Sequence, residues 1–169
     1  LDGRTFYFYD GSDPGGGTRA KGADFKRVSC NGGPNSFDAS NGFGQDAYVA
    51  MVAYLGKEMA KYNANPLTES SPPFIERIVF NDHGNIGQQF MGTEPIAANN
   101  PWLKAAASLM PQNGRIALNG CSVALGTQGE NYLQQMANET RRSVQGYNRD
   151  ITVGGGVDPG GELIVRQPQ

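Results

Sequence analysis

Uninterrupted apolar runs constrain the fold of this chain most. Ile78, Val79 and Phe80 follow one another without a polar residue, and Ile116 to Leu118 repeat the pattern. Strands of this kind are usually buried on both faces, as in a parallel sheet that is sandwiched by helices. The sequence therefore predicts an α/β fold.

Strand and helix patterns alternate along the second half of the chain. Predicted strands there cover residues 74–80, 114–120 and 151–156, and predicted helices cover 100–110 and 131–142. Such alternation implies right-handed crossovers and a mostly parallel central sheet with helices on both faces, a three-layer αβα sandwich. Since 169 residues with 38 % hydrophobic content suit one well-covered core, we expect a single domain over residues 1–169.

The first half of the sequence shows fewer strand and helix patterns. Residues 4–10 and 25–30 are candidate strands, the segment after Cys30 is predicted to be loop, and the tail "GELIVRQPQ" is a candidate for a last strand. A helix is predicted from Asp46, its candidate cap, to about Asn63. Its predicted inward face consists of Val49, Val52, Leu55, Met59 and Tyr62. The later helix has Asn100 as its predicted cap, with Pro101 in the first turn.

Charge and hydropathy exclude several classes of partner. The formal net charge is −2 and no block of Lys or Arg is present, so neither nucleic acid nor an anionic membrane surface is favoured. No apolar run approaches the roughly 20 residues that span a bilayer. "LDGRTFYFYD" lacks the layout of a signal peptide. Because the chain opens on Leu, we expect a processed product or a domain from a longer protein.

The two cysteines, Cys30 and Cys121, leave the redox state open. They permit one disulfide or two thiols, and their spacing fits no zinc or CxxC pattern. We therefore expect no metal site and no cofactor. A bridge between them would remove either cysteine as a nucleophile.

Two predicted strands end in residues that can do chemistry. Phe80 is followed by "NDHG" with His83, the one histidine of the chain, and Leu118 is followed by "NGCS" with Cys121. Neighbouring parallel strands deliver their carboxyl ends to the same edge, so His83 and Cys121 are predicted to face one crevice. There, Cys121 is a candidate nucleophile with His83 as its proton-transfer partner, and the backbone N–H groups of Gly84 and Cys121 can form an oxyanion hole.

Structural alternatives exist for both side chains. His83 can be a loop imidazole that binds a backbone carbonyl, and Cys121 can be a small buried apolar residue. Asn81, Asp82 and Asn119 are expected to stabilise the turns at the strand ends. Ser122, beside the cysteine, is a candidate substrate-binding residue. Asp158 of "GGGVDPGG" is either a turn residue or a contact for a basic substrate side chain.

The motifs "RIVFNDHGNIG" and "GRIALNGCSVA" resemble the caspase-like superfamily of cysteine peptidases, clan CD. The resemblance covers about residues 74–160. It is nearest to the self-cleaving peptidase domains of large bacterial toxins and to a related domain of giant bacterial adhesins. The segments "HGNIGQQFMG" and "GCSVALGTQG" are similar to the spacing of the adhesin domain.

This resemblance implies a function. Cys121 would attack a peptide carbonyl, His83 would protonate the leaving amine, and Gly84 and Cys121 would hold the oxyanion. No third carboxylate is required, so Asp82 receives no catalytic role. The toxin domains are activated by an inositol phosphate in a Lys/Arg-rich pocket, and the scattered basic residues of this chain do not support that regulator.

The sequence thus predicts a thiol endopeptidase that acts on a peptide or protein, including its own parent chain in cis, in a secreted or cell-surface protein. One alternative is a non-catalytic module for adhesion or assembly, favoured by the many Gly and Asn residues and the possible Cys30–Cys121 bridge. Another is a thiol-based hydrolase or transferase for a non-peptide acyl group.

Overall fold

The computed structural model describes residues 5–12, 35–68, 72–150 and 160–169. These residues form a six-stranded sheet, a small three-stranded sheet and three helices. The strands are β1 (Thr5–Tyr9), β2 (Ser36–Asp38), β3 (Arg77–Asn81), β4 (Gly84–Asn85), β5 (Gln88–Met91), β6 (Glu94–Pro95), β7 (Arg115–Leu118), β8 (Ser143–Tyr147) and β9 (Leu163–Arg166). The helices are α1 (Gln45–Ala64), α2 (Pro101–Ser108) and α3 (Gly126–Thr140).

The large sheet is mostly parallel, as predicted. Its strand order is β2-β1-β3-β7-β8-β9, with β9 the single antiparallel member among the described strands. β3, β7 and β8 are successive parallel neighbours, and α2 and α3 form the connections between them. β4, β5 and β6 form the small antiparallel sheet directly after β3.

The main core lies between one face of the large sheet and the three described helices. Helices were predicted on both faces, whereas the described residues place all three on this face. Buried side chains of this core include Phe8, Phe80 and Leu118 from the sheet and Leu103 and Leu133 from the helices. The opposite face of the sheet carries a second buried cluster, which consists of Tyr7, Tyr9, Val79 and Ala117. β3 and β7 are therefore buried on both faces, which explains their uninterrupted apolar sequences.

Helix α1 matches its predicted span but only part of its predicted inward face. Val49 and Val52 are 52 % and 37 % exposed, whereas Ala47 and Met51 are buried. Tyr54 packs edge-on against Phe6, with ring centroids 5.6 Å apart. Of the other predicted residues, Leu55 packs against the core, and Met59 and Tyr62 are half-buried, so the predicted face is wrong at the two valines.

One of the two predicted helix caps is confirmed and the other is wrong. Asn100 caps α2 as predicted, since its side chain accepts hydrogen bonds from the N–H groups of Trp102 (2.9 Å) and Leu103 (3.0 Å). The cap predicted for α1 is wrong: Gly44 occupies the N-cap position without a side-chain bond, and Asp46 lies in the first turn.

Several boundaries differ from the predictions. α3 begins five residues before the predicted start, because Gly126 and Gly129 in its first turn concealed the helical pattern. Arg141 then ends α3 in a left-handed conformation, with a φ of 58°, and β8 follows directly. β8 was not predicted, and β2 lies in a segment predicted to be loop. The predicted strands 25–30 and 151–156 lie outside the described residues, and β9 confirms the predicted last strand.

No helix in the described part of the chain is both long and apolar enough to cross a membrane.

Candidate active site

The pairing of β3 with β7 determines where His83 and Cys121 lie. The strands are in parallel register, with Phe80 opposite Leu118. The ladder continues beyond the strands, because the Asn119 N–H donates to the Phe80 carbonyl at 3.0 Å. The Asn119 side-chain amide also donates to Asn81 Oδ1 at 2.9 Å. The segments that carry the histidine and the cysteine therefore leave the sheet side by side at its carboxyl edge.

These segments touch at two glycines. We call residues 82–84 the histidine loop and residues 119–125 the cysteine loop. A Cβ added to Gly84 would lie 2.6 Å from both Cα and the carbonyl carbon of Gly120, and a Cβ added to Gly120 would lie 2.6 Å from Cα of Gly84. Only glycine allows such a close approach of two backbones. The residues next to these glycines are His83 and Cys121, so the structure places the two predicted site residues on touching loops.

Solvent reaches both residues. His83 is exposed, and Cys121 is half-buried at the start of the turn that leads into α3. This exposure of both side chains is compatible with the access that an external substrate needs.

The buried side chain of Asp82 anchors the histidine loop. Its carboxylate accepts hydrogen bonds from the N–H groups of His83 (2.6 Å) and Gly92 (2.8 Å). Burial raises the pKa of Asp82 above its ordinary value, while the two backbone donors act in the opposite direction. Both carboxylate oxygens thus contact backbone, which fits the turn-stabilising role expected for this residue.

The cysteine loop is held by the end of β8 and by α3. The N–H of Ser122 donates to the Arg149 carbonyl, and the N–H of Ala124 donates to the Tyr147 carbonyl, both at 3.0 Å. Ser122 has a φ of 56°, in the left-handed region that non-glycine residues seldom adopt. Backbone strain of this kind often occurs at functional sites. The Ser122 hydroxyl, predicted to bind substrate, donates to Asp150 Oδ1 at 2.7 Å.

The β4–β5 hairpin joins the two loops, and sequence reasoning missed it. The N–H of Gly87 at the tip donates to the Val123 carbonyl at 3.0 Å. Gln89 of β5 is fully buried, and its Oε1 accepts from the N–H of Gly120 at 2.7 Å. Gly87 and Gly92, both with positive φ, flank β5, so their spacing in the sequence was the signal that could have revealed the hairpin.

Tyr132 of α3 supports the hairpin from the helical side. Its hydroxyl donates to the Ile96 carbonyl at 2.5 Å and accepts from the N–H of Gln89 at 3.4 Å. Burial raises the pKa of this phenol far above its usual range. Tyr132 therefore acts here as a neutral hydrogen-bonding group.

Two residues of the predicted site region lie outside the described residues: the candidate substrate contact Asp158, and Cys30, the candidate disulfide partner of Cys121. Within the described ranges, no group of three or more His, Cys, Asp or Glu side chains is arranged to hold a metal ion.

The arrangement defines a class of protein: an α/β domain with a cysteine and a histidine on touching loops at the carboxyl edge of a parallel sheet. Cysteine and histidine are residue types that acyl-transfer chemistry uses. A model of the family described as "Domain of unknown function (DUF4347)" matches residues 78–162, half of the chain, and the chain belongs to this family. The match includes both loops. No curated protein and no solved structure matches the chain.

Proposed function

We propose that this domain is a cysteine endopeptidase of the caspase-like superfamily, with Cys121 as nucleophile and His83 as general acid/base. The observation that carries the proposal is the backbone contact between Gly84 and Gly120, which brings the imidazole and the sulfur onto adjoining loops. Two chemically competent residues that meet through paired glycines support a shared task better than a loop imidazole and an unrelated apolar cysteine.

The proposed reaction has two halves. The thiolate of Cys121 attacks the peptide carbonyl, and a carbon–sulfur bond forms as the carbonyl oxygen gains negative charge. The carbon–nitrogen bond then breaks, and the leaving amine takes a proton from the His83 imidazolium. Water next attacks the thioester and gives a proton to His83. The products are a carboxylate and the regenerated Cys121.

The backbone N–H groups of Gly84 and Cys121 are the proposed oxyanion donors. The close contact with Gly120 places the Gly84 nitrogen beside the cysteine loop, 2.8 Å from where a Cβ of Gly120 would be. Donors fixed by a folded backbone need no reorganisation during the reaction, which makes them effective in stabilising developing charge. Ser122 and Asp158 are the proposed substrate-binding residues.

The strand order and the parallel crossovers support the finer fold assignment, a caspase-like αβα sandwich, in which the described helices form the layer on one face of the sheet. The proposed substrate is a peptide or protein, including the parent chain in cis, and not a nucleic acid. The proposed setting is a secreted or cell-surface protein, and the chemistry needs neither cofactor nor metal.

Peptide cleavage by matched variants tests this function. Wild type, Cys121→Ala, His83→Gln and Cys30→Ala would be incubated with a complex peptide mixture and with a longer precursor, and new termini identified by mass spectrometry. We expect wild type and Cys30→Ala to cleave, Cys121→Ala to be inactive, and His83→Gln to be slower by about 10²- to 10⁴-fold. Cys30→Ala is the matched control because it removes the other cysteine.

Iodoacetamide labelling with and without reductant completes the test. A reactive thiolate at Cys121 near neutral pH supports the peptidase, and a Cys30–Cys121 disulfide contradicts it. Processing that continues in Cys121→Ala would identify another enzyme as its source. An unreactive Cys121 without cleavage would favour a module for adhesion or assembly, and a thioester formed only from non-peptide esters would favour an acyl hydrolase or transferase.

A further inference from the structure

Gln89 connects the two loops of the candidate site with a single side chain. It lies on β5, is 0 % exposed, and reaches the cysteine loop through its Oε1, which accepts from the Gly120 N–H at 2.7 Å. Its Nε2 donates in the other direction, to the Phe90 carbonyl at 3.0 Å and, more weakly, to the Asp82 and His83 carbonyls, each at 3.4 Å.

We propose that Gln89 is a positioning residue, which fixes the peptide groups of the histidine loop and the cysteine loop so that the N–H groups of Gly84 and Cys121 point at one substrate oxygen. The inference rests on the proposed function. It assigns Gln89 no contact with substrate and no part in proton transfer.

The orientation of the Gly84 N–H follows from the bonds on the His83 carbonyl. This carbonyl accepts from the Phe90 N–H at 2.9 Å and from Gln89 Nε2. In a trans peptide the C=O and the following N–H point in opposite directions, so bonds that hold the His83 oxygen also direct the Gly84 N–H. The nitrogen of Gly84 lies 2.8 Å from where a Cβ of Gly120 would be, on the side of the cysteine loop.

The cysteine loop is fixed by the oxygen of the same Gln89 side-chain amide. The bond to Oε1 holds the Gly120 N–H, one residue before Cys121, and so restrains the direction in which the next peptide group leaves. Gln89 is itself immobilised, because its backbone carbonyl accepts from the Ile96 N–H at 2.7 Å and its backbone N–H donates to the Tyr132 hydroxyl at 3.4 Å.

The task requires a neutral amide. One end must accept from an N–H, and the other end must donate to carbonyl oxygens, which neither a carboxylate nor a thioether does. Glutamate would direct its second oxygen at those carbonyls unless it were protonated. The titratable groups around this position are Asp82, His83 and the Tyr132 phenol, from the strand end and from α3.

Two substitutions of nearly unchanged size separate positioning from simple packing. Gln89→Met removes the hydrogen bonds at every pH, and Gln89→Glu restores a donor only when its carboxyl is protonated. On a peptide that wild type cleaves, we expect Gln89→Met to lower kcat by about 10- to 100-fold and to change KM by less than about threefold. Oxyanion donors stabilise the transition state more than the bound substrate, so their misdirection lowers kcat and leaves binding nearly unchanged. The activity of Gln89→Glu relative to Gln89→Met should rise as the pH falls.

A kcat of Gln89→Met within about threefold of wild type would overturn the proposal. A constant ratio between the two variants across pH would also overturn it, since lost packing affects both variants alike. If Gln89→Met does not fold, the kcat of Gln89→Glu is measured as a fraction of the wild-type kcat at acidic pH and at neutral pH. The same fraction at both pH values overturns the proposal.

Hydrogen exchange of the Gly120 amide distinguishes failure of this link from failure of the proposed function. If wild type cleaves no peptide, the proposed function fails, and the link is judged from this amide, followed by NMR. Faster exchange at Gly120 in Gln89→Met, with unchanged exchange in α2, then supports the link. Unchanged exchange at Gly120 refutes it.

Discussion

Replacing Gly84 with alanine tests the contact on which the candidate site depends. The new Cβ would lie 2.6 Å from two backbone atoms of Gly120 and 2.6 Å from Cγ2 of Val123. Carbon atoms in proteins pack at about 3.5–4.0 Å, so the two loops would have to separate by roughly 1 Å. Backbone cannot rotate away as a flexible side chain can, and we expect the variant to be destabilised.

The size of the effect follows from two contributions. Overpacking of a tight site costs about 1–3 kcal/mol. Separation of the loops would also stretch the 2.7 Å bond between Gly120 and Gln89, and a hydrogen bond of this kind contributes about 0.5–1.5 kcal/mol. The expected loss in the free energy of unfolding is therefore roughly 2–4 kcal/mol. With an m-value of about 2 kcal/mol/M, the urea midpoint should fall by roughly 1–2 M.

Urea denaturation followed by circular dichroism measures this loss, with Gly56→Ala as the matched control. Gly56 lies within α1, and a Cβ there would meet nothing within 4 Å. The same substitution at Gly56 should raise stability by about 0.5–1 kcal/mol through helix propensity. If Gly84→Ala unfolded at the wild-type midpoint while Gly56→Ala behaved as expected, the two loops would not be in contact and the reasoning would be refuted.

Three further outcomes are expected in the same assay. Asn100→Ala should lose about 1–2 kcal/mol with the α2 cap, whereas Asp46→Ala, at a position without a cap bond, should change stability by less than about 0.5 kcal/mol; equal effects would contradict the cap assignment. Leu133→Ala should lose about 2–5 kcal/mol and Val49→Ala less than about 0.5 kcal/mol, since Leu133 is buried and Val49 is exposed. A larger loss for Val49→Ala than for Leu133→Ala would contradict the inward face assigned to α1. Burial raises the pKa of Asp82 in the folded state, so between about pH 4 and the raised pKa the folded protein keeps a proton on this carboxyl that the unfolded chain has lost. The Asp82 contribution to stability therefore falls as the pH rises through that interval. The stability of wild type relative to Asp82→Asn should fall over that interval, and a flat difference would contradict this account.

The parallel sheet was predictable because its central strands are buried on both faces. The three consecutive apolar residues from Ile78 to Phe80 and the matching run in β7 reflect that burial directly, and alternation with helices indicated the crossovers. β8 escaped prediction because glycine, serine and glutamine occupy positions that are buried in it, so its sequence lacks a strand pattern. Burial there is determined by neighbouring strands and helices, which the local sequence does not reveal.

The juxtaposition of His83 and Cys121 followed from the strand order, but the means of holding them did not. Gln89 and Tyr132 act through atoms 31 and 36 residues away in the chain, at Gly120 and Ile96. No local periodicity encodes a bond of that range. A polar residue in a short strand between two glycines is consistent with an exposed hairpin as much as with a buried link, and only the tertiary contacts distinguish them.

On the proposed function, the contact between Gly84 and Gly120 also determines the stage of folding at which the site can become active. The sulfur and the imidazole belong to loops that meet only when β7 lies beside β3. A growing chain that has emerged only as far as the hairpin carries its imidazole without a partner sulfur. On the proposed function, any self-cleavage would therefore follow the docking of β7 beside β3, and a chain that has not reached this stage could not cut itself.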